Sequence, residues 1–88
     1  MISEVSARTG MPIDDILGRS RVHEIVTVRQ LYWKLIREKK CFTVARIGML
    51  CERDHSTIVL GIKHANDLLE TNDLYATLMW NKMKGIEP

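Results

Sequence analysis

Residues 53–63 read Arg-Asp-His-Ser-Thr-Ile-Val-Leu-Gly-Ile-Lys and indicate the start of an amphipathic helix. Asp54 occupies the position of an N-cap, where its carboxylate can accept from free backbone N–H groups and complement the helix dipole. Apolar residues recur at helical spacing behind the polar first turn, at Ile58, Ile62, Ala65 and Leu69. The pattern therefore predicts a buried face and an exposed N-terminal tip that carries His55, Ser56 and Thr57.

The segment before residue 53 predicts a second helix, separated from the first by a short turn. Thr43 fits the N-cap of this helix, and Ile47 and Leu50 would lie on its inner face. We interpret Gly48 as the site of a close helix crossing. Two helices joined by so short a turn match the helix-turn-helix pattern, in which the tip of the second helix enters a groove of DNA. On residues 54–57 alone, a well-capped helix is the simpler interpretation.

The rest of the chain predicts further helices and therefore an all-α fold, a small helical domain containing a helix-turn-helix. Residues 2–8 are helix-compatible and end at Gly10, a C′ residue, while a second short helix runs from Pro12 to Gly18. A long helix begins near Thr27 and carries the clearest apolar stripe, formed by Val28, Leu31, Tyr32, Leu35 and Ile36. Trp33 lies off that stripe.

Asn72 and Asp73 begin a last helix. Its apolar side is predicted to comprise Leu74, Tyr75, Leu78, Met79 and Met83. Without a linker, repeat or low-complexity tract, we predict a single domain over residues 1–88, in which residues 71–88 supply the terminal helix.

Composition is that of an ordinary folded protein, with 45% hydrophobic and 27% charged residues among 88. No apolar run is long enough to span a membrane. The N-terminus lacks a basic-then-apolar signal sequence, which favours the cytoplasm. Cys41 and Cys51 are the two cysteines, too few for a disulfide framework, and we expect free thiols.

Basic side chains are concentrated in one stretch. Residues 19–40 carry seven basic and two acidic side chains, a balance of +5, whereas the other residues carry a balance of −3. Within this stretch, residues 19–26 show no periodicity and predict an exposed basic loop. Such an uneven distribution is the electrostatic footprint of a polyanion partner, although a solvated basic helix face has the same composition.

These features together resemble the C-terminal DNA-binding domain of the bacterial replication initiator DnaA. Arg53-Asp-His-Ser-Thr57 is similar to the family's Arg-Asp-His-Thr/Ser-Thr signature, and Arg29-Gln30 is similar to the Arg-Gln pair of its long helix. Arg19-Ser-Arg21 matches its basic loop. The resemblance is strongest over residues 12–70 and implies a helical, Trp-repressor-like domain.

The resemblance also implies sequence-specific binding to double-stranded DNA, as in recognition of a replication origin. Residues 54–57 would face the major groove, Arg21 the adjacent minor groove, and Arg29, Gln30 and Arg37 the phosphates. The implied DNA-binding residues are Arg19, Arg21, Arg29, Gln30, Arg37, Arg53, Asp54, His55, Ser56 and Thr57.

Several residues depart from the family's pattern. The turn before Arg53 is one residue shorter and lacks paired glycines, Val28 replaces a usual proline, and Leu60 replaces a common histidine. The chain has no Gly-x-x-x-x-Gly-Lys-Ser/Thr loop, so we expect no nucleotide or other cofactor and regard it as the DNA-reading part alone. A mobile element, a phage or a repurposed bacterial regulator could use such a part.

The sequence predicts neither a catalytic nor a metal site. The cysteines and histidines lack the close spacing of zinc ligands. Asp54, His55 and Ser56 are the residue types of a hydrolase triad. Consecutive side chains on a helix diverge by about a hundred degrees, however, and cannot form the hydrogen bonds that link the triad. Two alternatives stay open: a transcription regulator with the same fold, and a protein-interaction module that has lost DNA binding.

Overall fold

A computed structural model describes all 88 residues, which form six α-helices and no strand. The helices are α1 (Ile2–Thr9), α2 (Ile13–Leu17), α3 (His23–Lys39), α4 (Val44–Cys51), α5 (His55–Glu70) and α6 (Leu74–Met83). α3 lies at the centre and packs against each of the other five. The predicted all-α fold is therefore confirmed, with α4 and α5 as the helix-turn-helix. No helix is both long and apolar enough to cross a membrane.

Local capping signals from the sequence mark three of the helix ends. Gly10 ends α1 in the left-handed conformation, with a φ of 76°. The Thr43 hydroxyl accepts from the backbone N–H of Arg46 at 3.1 Å, and the Asp73 carboxylate accepts from that of Ala76 at 3.0 Å. Asp54 does hold the N-cap position of α5, but its side chain accepts no backbone N–H group. The expected capping bond of Asp54 is thus wrong, and its carboxylate is exposed at the tip.

The long helix α3 begins at His23, four residues before the predicted start at Thr27. Its N-cap is Val22, which offers no side-chain hydrogen bond, and its first turns contain the β-branched run from Ile25 to Val28. These residues have low helix propensity, so no local signal marks the boundary. Packing fixes the helix instead, since Thr27 and Val28 are fully buried. The basic loop, predicted over residues 19–26, consequently ends at Val22.

The core is built around the predicted stripe of α3. The other helices contribute Val5 of α1, Ile16 of α2, Ile47 of α4, Ile58 and Ala65 of α5, and Met79 and Met83 of α6. Three residues predicted to lie on inner faces are instead exposed by 50–84%: Leu50, Leu74 and Leu78. Each lies on a helix of ten residues or fewer, where a few apolar positions do not determine which side faces inward. At the end of α4, Cys51 is buried in place of Leu50.

Trp33 lies off the apolar stripe and is nevertheless only 4% exposed, because α5 covers a second face of α3. The contact depends on Gly61. A Cβ atom placed on Gly61 would lie 2.5 Å from Cζ3 and 2.6 Å from Cε3 of the Trp33 ring. The indole therefore packs directly against the backbone of α5 and determines how closely α3 and α5 approach each other at this point.

Gly48 has a comparable role at the turn before α5. A Cβ atom there would lie 2.5 Å from the carbonyl oxygen of Arg53, and the Arg53 N–H donates to the Gly48 carbonyl at 2.8 Å. The predicted close approach is present, but it is an approach of the turn rather than a helix crossing. Glu52 completes the turn in the left-handed conformation, with a φ of 55°.

Candidate nucleic-acid interface

A groove of about 610 Å³ opens between α3, the first ten residues of α5 and the basic loop, which we define as residues 18–22. The loop contributes Arg19, Ser20 and Arg21, and α5 contributes Thr57, Leu60, Gly61 and His64. Val26, Arg29, Gln30 and Trp33 line it from α3, and Arg53 lines it from the turn. Predicted DNA-contacting residues that are far apart in sequence thus share one concave surface.

The two arginines of the basic loop differ in their contacts. Arg19 is exposed and donates through Nη2 to the carbonyl oxygen of Glu52 at 3.1 Å, so it ties the loop to the turn before α5. Arg21 is exposed and makes no hydrogen bond within the chain. Its guanidinium therefore keeps all five donors available for an external acceptor.

Arg53 of the signature connects three parts of the interface. Its Nη1 donates to the carbonyl oxygen of Cys51 at 2.8 Å, and its Nη2 donates to that of Gly18 at the start of the basic loop. Its guanidinium also lies 5.8 Å from the centroid of the Trp33 ring, within the range of a cation–π contact. Arg53 thereby fixes the loop relative to the tip of α5.

Arg29 is 6% exposed, and its guanidinium is held by backbone carbonyls. Nε donates to Ile16 at 3.0 Å, Nη1 to Ser20 at 2.8 Å and Nη2 to Asp15 at 2.9 Å. These acceptors belong to the end of α2 and to the basic loop, and the Asp15 carbonyl also accepts from the Gly18 N–H at 3.3 Å. Little of the guanidinium is left for a phosphate, and the phosphate contact expected of Arg29 stays a prediction.

The remaining predicted contacts are residues 54–57 at the tip of α5, and Gln30 and Arg37 on α3. Residues 54–57 are all exposed, and of these Thr57 also lines the groove. Gln30 lines the groove and accepts from Nδ1 of His64 at 2.6 Å. Arg37 is exposed near the end of α3, where it donates to the carbonyl oxygen of Phe42 at 2.8 Å. It does not line the groove with the others.

Arg19, Arg29 and Arg53 lie close together at this surface, and none of them forms an ion pair with a carboxylate. Burial lowers the pKa of Arg29, and the nearby charge of Arg53 lowers it further, while Asp15 offsets only part of this. The pKa of Arg53 is lowered by burial and then by the charge of Arg19. The two ion pairs of the structure, Glu4–Arg8 and Lys34–Glu38, lie elsewhere. An anion in the groove would relieve this repulsion.

Sequence reasoning did not predict the contacts of Trp33 with Gly61 or of Gln30 with His64. Each pair joins α3 to α5 across about thirty residues, as the 34-residue separation of Gln30 and His64 illustrates, and no local pattern reports such contacts. His, Cys, Asp and Glu side chains form no group of three that could hold a metal ion. Cys41 is an exposed free thiol, and Cys51 is a buried one.

Comparison with known proteins gives a consistent result. The family model described as "Bacterial dnaA protein helix-turn-helix" matches residues 1–64. The chain is similar to the chromosomal replication initiator protein DnaA of Deinococcus deserti, with 34% identity over 90 residues that cover 99% of this chain and 20% of that protein. The corresponding protein of Mycoplasma pneumoniae is 33% identical over 73 residues, which cover 83% of this chain and 17% of that protein.

A third relative, chromosomal replication initiator protein DnaA 2 of Protochlamydia amoebophila, is 36% identical over 73 residues, covering 83% of this chain and 16% of that protein. No solved structure matches the chain. The chain thus spans a fifth or less of the length of these curated relatives. Because the family model covers most of the chain, including the signature from Arg53 to Thr57, this protein belongs to the family of bacterial DnaA helix-turn-helix domains.

Proposed function

We propose that this chain binds double-stranded DNA at a preferred sequence, with the tip of α5 in the major groove and the basic loop at the adjacent minor groove. In this arrangement His55, Ser56 and Thr57 meet base edges, where hydroxyl and imidazole groups can donate or accept and the threonine methyl can contact thymine. Arg21 reaches the narrower groove, whose negative potential attracts arginine.

One observation carries the proposal: the unpaired guanidinium of Arg21 and the exposed tip of α5 border the same groove. The bonds of Arg53 and Arg19 across the turn hold these two elements in a fixed relation. The excess of positive charge, without ion pairs, supports a polyanion rather than an uncharged partner.

The biological role that we propose is binding at a replication origin, because the similar proteins are named chromosomal replication initiators. The chain matches only a small part of each of them, so binding of DNA is the one activity that we propose for it. A transcription regulator would use the same contact with DNA. Mapping the occupied sites in cells distinguishes the two roles, since origin-proximal clusters favour the first and scattered promoter sites the second.

The test is selection of a duplex from a randomised pool, followed by fluorescence anisotropy on the selected duplex and on a scrambled one across a salt series. We expect discrimination between the two duplexes to persist as salt weakens both. Sequence-blind binding that moderate salt abolishes would contradict a reading function and leave only a basic surface.

Variants at the tip then test the assignment of roles. His55→Ala and Thr57→Ala should each lose about 1–3 kcal/mol at the selected duplex and relax the choice of base there. Thr71→Ala at the far end of α5 is the matched control and should bind as the parent does. Equal losses on the selected and scrambled duplexes would remove these side chains from the reading surface.

A protein-interaction module that no longer binds DNA is the competing function. Exposed apolar residues beside the turn favour it, since Met49 is 83% exposed and Leu50 is 57% exposed. A heparin column discriminates between the two functions, because DNA binding requires retention at low salt. Elution in the void volume would favour the interaction module.

A further inference from the structure

Leu60 is an exposed apolar side chain on the proposed DNA-reading face. It is 65% exposed and lines the groove with Thr57 and His64. The other apolar side chains at this surface are covered: Trp33 is 4% exposed, and Val26 is half-buried. The surface around Leu60 is otherwise formed by arginines and small polar groups. About two thirds of this large apolar side chain is therefore left in water.

The position of Leu60 on α5 fixes what it can meet. It follows Thr57 by three residues and Ser56 by four, so the three side chains lie on neighbouring positions of one helix face. Three residues advance the helix by about 4.5 Å, a little more than the 3.4 Å between successive bases along a strand. Leu60 is thus placed against a base one or two steps beyond the one that Thr57 meets.

We propose that Leu60 determines specificity by packing against the C5-methyl group of a thymine in the major groove. This inference rests on the proposed function and names the chemistry of one position in the preferred site. A leucine side chain can neither donate to nor accept from a base edge or a phosphate, so its contribution comes from burial of apolar area. The thymine methyl is the one apolar group that an unmodified base pair presents in that groove.

The experiment compares thymine with deoxyuridine, which lacks only the methyl group. Each thymine of the selected duplex is replaced in turn, and binding is measured for the parent chain and for Leu60→Ala. We expect one thymine at which deoxyuridine weakens binding of the parent about fourfold, the effect of one buried methyl group. At that position Leu60→Ala should bind both duplexes equally, while substitutions elsewhere keep their effects in the variant.

Leu74→Ala is the control variant, because Leu74 is 84% exposed and follows the opposite end of α5, which is roughly 24 Å long. It should reproduce the parent's response at every thymine. Far-UV circular dichroism checks that each variant is folded, as the exposure of both leucines predicts.

The outcomes separate the two proposals. If no duplex is selected and binding is sequence-blind, both the proposed function and this inference fail. If a duplex is selected but deoxyuridine has no effect on the parent, or has the same effect in Leu60→Ala, the inference about Leu60 is overturned while DNA reading stands.

Discussion

Arg29 illustrates at the scale of one residue how a charged side chain can support an interface from beneath. It bonds three backbone carbonyls of the α2 end and the basic loop while almost fully buried. Charge-assisted bonds of this kind are strong, and their loss leaves buried acceptors without donors. The residue therefore holds the loop that presents Arg21.

For Arg29→Ala we expect the free energy of unfolding to fall by about 3 kcal/mol, since several charge-assisted bonds are lost together. Urea denaturation followed by circular dichroism measures this change. Arg29→Lys should recover only part of it, because one ammonium group cannot reach three carbonyls. A phosphate-contacting role would instead appear as unchanged stability with a salt slope smaller by about one.

Because the Tyr32 phenol is buried, we expect the stability of the chain to fall at alkaline pH. Burial raises the pKa of its phenol from 10 to about 12, with a smaller contribution from Cys51. Because the folded pKa lies above the unfolded one, the stabilisation is fully present below pH 10 and is lost as pH rises through 12. The unfolding free energy lost through ionisation of Tyr32 is about 2–3 kcal/mol, because each unit of difference between the two pKa values corresponds to about 1.4 kcal/mol.

Urea denaturation between pH 9 and pH 11.5 measures this loss. In Tyr32→Phe, which has no proton to lose, the decline in unfolding free energy should be shallower than in the parent. Identical pH profiles for the two proteins would show that the phenol is not the group responsible.

At the scale of secondary-structure elements, the contact of α3 with α5 depends on the absence of a side chain at position 61. Replacing a glycine inside a helix by alanine ordinarily stabilises a protein by up to about 1 kcal/mol. Here the new methyl group would lie 2.5 Å from a ring that is itself 4% exposed and cannot move away freely. The strain of overpacking, typically 1–3 kcal/mol, opposes the gain.

We therefore expect Gly61→Ala to destabilise the chain by about 1–2 kcal/mol in spite of its higher helix propensity. Thermal denaturation measures the change, and Gly85→Ala is the control, since its new methyl would meet only the end of Arg8 at 3.5 Å. A Gly61→Ala protein as stable as the parent or more stable would show that the helices separate without cost.

The elements differ in how far the sequence predicts them. Gly10, Thr43 and Asp73 determine helix ends through their own conformations or hydrogen bonds, so these boundaries were predictable. The start of α3 was not, because packing rather than a cap determines it. The burial of Trp33 was also not predictable, since it depends on a helix whose contacting residue is distant in sequence.

The same distinction applies to the candidate site. The signature block and the basic loop predicted the tip of α5 and Arg21 as candidate DNA contacts, because each is a short local pattern, and both are exposed beside the groove. The structural roles of Arg29 and Arg53 could not be read from the sequence, since their partners are carbonyls supplied by other segments. The identity of a charged residue does not indicate whether its side chain faces solvent or bonds to backbone carbonyls.

For the whole molecule, the proposed interface predicts how binding depends on salt. Removing Arg21 deletes a charge that has no partner within the chain, so Arg21→Ala should reduce the slope of log affinity against log salt concentration by about one. Arg8→Ala removes an arginine of the same charge that lies on α1 and pairs with Glu4. It should leave the slope unchanged.

Anisotropy titrations of the three proteins at four or more salt concentrations give the slopes. Parallel lines for the parent and Arg21→Ala would place the Arg21 guanidinium outside the DNA contact. A reduced slope for Arg8→Ala would mean that the polyanion covers more of the molecule than the groove.

The indole ring lying against Gly61 has a consequence for the evolution of this family. Sequences that carry a methyl group or larger side chain at the position of Gly61 have to give up ring atoms at the position of Trp33, so the two positions should covary across relatives. Either substitution made alone lowers stability. Gly61→Ala overpacks the contact, and a smaller residue at Trp33 leaves a cavity. Exchange of both residues together avoids both losses.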